Sequence, residues 1–105
     1  MEDPMNAIKD KLARGYILKV LKMTHPTPTP LEAVSQAIIQ DGLSVNPDIK
    51  EHIDYLLDRK YITIKTVAPR LACVSVTVAK LTADGVDVLQ HTKQDPGVII
   101  PGGDA

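Results

Sequence analysis

The run Asn46-Pro47-Asp48-Ile49-Lys50-Glu51-His52-Ile53-Asp54-Tyr55-Leu56-Leu57-Asp58-Arg59-Lys60-Tyr61-Ile62-Thr63-Ile64-Lys65 changes its hydrophobic period partway along, and that change decides the fold class. Ile49, Ile53, Leu56 and Leu57 lie on one face of a helix, with Asn46 placed to cap it and Pro47 at its first position. From Tyr61 the period drops to two, with Ile62 and Ile64 alternating with Thr63 and Lys65 as in a half-buried strand. A helix that feeds directly into a strand implies an α+β chain.

Upstream, Leu31, Val34, Ala37 and Ile38 form the buried stripe of a short helix. Thr29 is read as its cap, Pro30 as its first residue and Gly42 as its stop. Two short helices joined by the turn Leu43-Ser44-Val45 make a helix-turn-helix unit. Further upstream, Asp3 and Pro4 can open a first helix with Ile8, Leu12, Tyr16, Ile17, Val20 and Leu21 inward through Lys22. Gly15 interrupts it at about 1 kcal/mol relative to Ala. Between these helices, Thr24 to Pro30 alternates prolines and reads as a stiff connector.

Downstream, Val74, Val76 and Val78 alternate with Cys73, Ser75 and Thr77, so a β-hairpin with Val74, Val76 and Val78 inward is expected. Thr82 can cap a last short helix with Val86 and Leu89 inward. The stretch after residue 93 has Pro96, Gly97, Pro101, Gly102 and Gly103 and no period. The sequence therefore predicts one domain over 1–92 and a flexible tail over 93–105.

Composition narrows the class. The chain has 105 residues, 44% hydrophobic but only 3% aromatic, with no Phe or Trp, so one aliphatic core is expected. Cys73 is the single cysteine, which excludes an intrachain disulfide and suits a reducing compartment. The acidic start Met-Glu-Asp-Pro is unlike a signal peptide, and no apolar run reaches the roughly 18 residues that span a bilayer. A cytoplasmic protein with no membrane partner is expected.

Helix, helix, helix, hairpin, helix resembles the winged helix-turn-helix domain of bacterial transcription regulators. Two junctions carry the likeness. Tyr55-Leu56-Leu57-Asp58-Arg59-Lys60-Tyr61-Ile62 is similar to the paired leucines, charged pair and aromatic that lead into the family's wing. Leu81-Thr82-Ala83-Asp84-Gly85 is similar to its exit from the wing. Together they place residues 5 to 92 in the resemblance. A narrower likeness is to small winged-helix proteins of Mu-like phages and prophages, on Tyr16-Ile17-Leu18-Lys19-Val20-Leu21 and Asp95-Pro96-Gly97-Val98. These resemblances imply a mainly α winged helix and a non-enzymatic DNA-binding protein, a regulator of transcription of bacterial or phage origin.

In such a domain the third helix enters the major groove and the wing grips phosphate. The resemblance then implies double-stranded DNA as partner, with Ser44, Asn46, Lys50 and Tyr55 toward the groove and Lys65 and Arg70 on the wing. The charge map complicates this. At 100° per residue, Glu51, Asp54, Tyr55 and Asp58 point away from the buried stripe. Residues 31 to 58 hold six acids and one base, whereas residues 59 to 80 hold five bases and no acid. The net charge of −1 thus conceals an acidic third helix and a basic wing. The alternative expectation is a protein-interaction module that uses Glu51, Asp54, Tyr55 and Asp58 to dock a basic partner without binding DNA.

No catalytic, cofactor or metal site is expected. His25, His52 and His91 sit on separate elements without paired spacing, and no phosphate loop or nucleophile elbow is present. His52 is expected to be solvated, and His91 to favour the last helix's negative end. A homodimer through the first and last helices is expected, because Leu18 and Val88 fall off their core stripes and would leave apolar surface outside.

Overall fold

The computed structural model describes residues 4–40, 49–68 and 75–100. In chain order these form α1 (Pro4–Thr24), β1 (Thr29–Pro30), α2 (Leu31–Gln40), α3 (Lys50–Asp58), β2 (Ile62–Val67), β3 (Val76–Leu81) and α4 (Ala83–Leu89). The described residues thus form a small α+β, mainly helical fold with a three-stranded antiparallel sheet in the order β1-β3-β2. None of the described helices is long and apolar enough to cross a membrane. The proposed caps Asp3, Asn46 and Pro47, the stop Gly42 and the turn 43–45 lie outside the described residues, as do Arg70, Cys73 and Val74.

β1 corrects the reading of the Thr-Pro stretch. Thr29 and Pro30 do not open α2; they pair with Ala79 and Val78 of β3. Proline has no N–H to give a ladder, and an edge strand tolerates that loss. Thr24 holds the approach: its hydroxyl donates to the Thr27 carbonyl at 3.0 Å and meets the Thr29 hydroxyl.

α1 lies centrally and packs against α2, α3, α4 and β3. A helix covered on several sides buries more than one stripe. Ile17, Leu18 and Leu21 are all fully enclosed, and Val88 of α4 is buried too. Leu18 and Val88, expected to leave apolar surface outside, are therefore core. Val34, Ile38, Ile53, Leu56, Ile62, Ala79 and Leu81 complete the aliphatic interior.

The α3–β2 junction explains the first of the two sequence signatures. Arg59 is the C-cap, and Lys60 follows with φ 63. The Lys60 amide donates to Leu57 and the Tyr61 amide to Leu56, the paired bonds of a Schellman turn with lysine where glycine is usual. The second signature locks onto this turn. Thr82 donates its amide to the Tyr61 carbonyl at 3.0 Å and its hydroxyl to the Lys60 carbonyl at 2.6 Å, while that hydroxyl accepts from the Gly85 amide at 3.2 Å. Thr82 caps α4, as the sequence predicts.

Register sets the two faces of the hairpin. Ile62 opposes Leu81, Ile64 opposes Ala79, Lys65 opposes Val78 and Val67 opposes Val76. Directly opposed residues share a face. Ala79 and Leu81 are buried, so the inward face of β3 is the one opposite to Val76 and Val78. Those valines stand on the outer face with Lys65 and Lys80. On β2 only Ile62 is enclosed, and Ile64 is 44% exposed.

Candidate functional site

Among the described residues, a cluster of polar side chains is built on Asp95, in the stretch expected to be loose. Asp95 and Val98 are buried, and residues 95–100 pack against the body of the fold. Tyr61 donates to Asp95 Oδ2 at 2.6 Å and Tyr55 to Oδ1 at 2.7 Å. The Gly97 amide also donates to Oδ1 at 2.7 Å, an Asx turn, and Arg59 Nε lies 3.6 Å from Oδ2. Arg14 reaches across from α1, stacking 4.1 Å from the Tyr55 ring centroid and donating to the Gly97 carbonyl at 3.0 Å. The Ile99 amide donates to the Lys11 carbonyl.

Two glycines admit this strap. A Cβ on Gly15 would overlap the Ile99 carbonyl, and one on Gly97 would overlap the Tyr55 hydroxyl. Gly15, which the sequence presents as a weak point in α1, is where a second backbone crosses at van der Waals distance.

The electrostatics follow from the packing. Burial alone would raise the Asp95 carboxyl, but the hydroxyls of Tyr61 and Tyr55, the Gly97 amide and Arg59 more than offset it and hold it below 3.8. Burial, and donation to Asp95, push Tyr61 from 10.0 up to about 12, and Tyr55 is raised for the same reasons. Stability supplied by neutral Tyr61 is therefore present below pH 10.0 and lost as pH rises toward about 12. Urea unfolding across that window, followed with phenolate absorbance, should show the loss. Tyr61→Phe removes that titration and should shrink the loss to the share that Tyr55 contributes. A carboxylate whose two oxygens already accept from Tyr61, Tyr55 and the Gly97 amide can fasten a chain segment.

This arrangement corrects the reading of Tyr55. Its ring does not stand on the outward face of α3 for a groove or a partner; it is half-buried beneath Arg14 and the strap. Its hydroxyl is committed to Asp95. His52 is likewise not solvated: its ring sits against Asp10 of α1, Nε2 to Oδ1 3.8 Å, with 13% of its side chain exposed. His91 is exposed just past α4 with φ 59, its amide donating to Val88. What α3 shows to solvent is Glu51, Asp54 and Asp58, with Lys50 at its start.

The remaining expected residues divide. Ser44, Asn46 and Arg70 lie outside the described residues. Lys65 is exposed on the outer face of β2, and Lys80 is exposed on the same face of β3. Lys80 opposes Thr63, two residues from Lys65, so the two ammonium groups are diagonal neighbours across the ladder. Lys80 is one of the five bases over residues 59 to 80, and its even spacing with Val78 and Val76 puts it on this face. Arg14, Arg59, Tyr61 and Asp95 are not among the site residues expected from the sequence; Arg59 and Tyr61 lie in the junction that resembles the wing's entry, and Asp95 opens an Asp-Pro-Gly turn. Among the described residues no three histidine, cysteine or carboxylate side chains gather as metal ligands. No protein family, curated protein or solved structure matches this chain.

Proposed function

We propose that the chain is a winged-helix domain that binds duplex DNA through the outer face of its β2–β3 hairpin, with its third helix held away from the groove. The order α1, β1, α2, α3, β2, β3 and the sheet order β1-β3-β2 agree with that domain. One observation favours the hairpin: Lys65 and Lys80 share its outer face, and no acid occurs between residues 59 and 80. Arg70, in the connection between the strands, adds to the same sign of charge. Three exposed carboxylates on α3 would meet phosphate with like charge, so that helix does not supply affinity. The role is non-enzymatic, in regulating transcription.

Fluorescence anisotropy with a duplex of about 20 base pairs tests this. Two or three phosphate contacts give a slope of log affinity against log salt of about −2 to −3, so binding is expected near 50 mM salt and should fade by about 200 mM. Absence of binding near 50 mM overturns the reading. A second reading, in which Glu51, Asp54 and Asp58 dock a basic protein, draws on the exposure of those same carboxylates.

A further inference from the structure

A groove of about 440 Å³ opens between α2, α3 and β2. Leu31, Ile49, Ile53 and Ile64 form its apolar floor, and Glu32 and Asp54 stand on its rim. Lys50 is the one base at its edge, and the acidic side continues onto Glu51 and Asp58 of α3. The outer face of the hairpin has the opposite character: Val67, Val76 and Val78 form an apolar strip beside Lys65 and Lys80.

We infer that the groove receives the hairpin strip of a second copy of this chain. The two surfaces match in kind, aliphatic against aliphatic with carboxylates facing ammonium groups. They cannot match within one molecule. Ile64 reaches the groove from the inner face of β2, while Lys65 and Val67 project from the outer face, so strip and groove lie on opposite sides of one sheet. The contact is therefore head-to-tail between copies, and it occupies the lysines that the DNA reading uses. Self-association and DNA binding exclude one another.

Sedimentation of the full chain without DNA tests this separately from the DNA reading. At about 50 mM salt, the average mass should rise above the monomer with concentration up to about 200 µM, and should fall as salt is added. Lys65→Glu with Lys80→Glu, and separately Glu32→Lys with Asp54→Lys, should each weaken association about tenfold or more. Mixing the two charge-reversed proteins pairs an unaltered groove with an unaltered strip and should restore it. Circular dichroism of each variant confirms the fold, because all four positions are exposed. A monomeric wild-type protein, variants that associate as the wild type does, or a mixture that stays monomeric overturns the inference.

Discussion

Asp95→Ala is expected to lose about 3 kcal/mol of folding stability, a fall in thermal midpoint of roughly 15 °C. The substitution strands the Tyr61 hydroxyl, which is enclosed, and the Tyr55 hydroxyl, which is partly so, and removes the Asx turn that shapes Pro96 and Gly97. Arg59 adds little, because half its side chain is in water. Asp95→Asn keeps one carbonyl acceptor but turns an amide donor toward a phenol, so it should lose about half as much. Hydrogen exchange locates the damage. The Ile99 amide, which donates to Lys11 of α1, should lose protection in Asp95→Ala while amides of the β2–β3 ladder keep theirs. Unchanged protection at Ile99 would show that the strap is held without Asp95, by Val98, Ile100 and the Arg14 contact.

Gly85→Ala is expected to cost about 2 kcal/mol, and its sign separates two effects. Helix propensity alone would make alanine in α4 better by about 1 kcal/mol. The added methyl would overlap the Tyr61 carbonyl and press on Leu81, both fixed in the core, and overpacking of that kind costs about 3 kcal/mol. Because Thr82 already donates to that carbonyl, α4 cannot move outward without breaking its own cap. Thermal unfolding decides between them: a midpoint lowered by roughly 10 °C supports the close approach, and a raised midpoint rejects it.

The order of elements was legible because prolines, glycines and the change of period mark their ends. Other features were not, for identifiable reasons. β1 is two residues long, too short for any alternation, and its Thr-Pro pair equally suits a helix start. Over residues 73–79 the sequence alternates valine with Cys, Ser, Thr and Ala, a weak contrast. The buried face is set by where Ala79 and Leu81 meet the helices, and small Ala79 gives no sign of it. Tyr55 lies on α3 at an angle between the outward face and the α1 flank. Its partner Asp95 is 40 residues away, in a segment held by side chains. Such contacts leave no local period. The trace they do leave is a glycine in an otherwise regular helix, at Gly15.

A near-zero net charge thus conceals two charged surfaces, an acidic third helix and a basic hairpin, and DNA binding is proposed for the hairpin alone. The most direct test compares the affinity of three proteins for one duplex at low salt: wild type, Lys65→Ala with Lys80→Ala, and Glu51→Gln with Asp54→Asn and Asp58→Asn. The hairpin variant should bind at least tenfold more weakly, with a salt slope shallower by about 2, and the third-helix variant should bind more tightly than wild type. A hairpin variant that binds as wild type does, or a third-helix variant that binds more weakly, would contradict it.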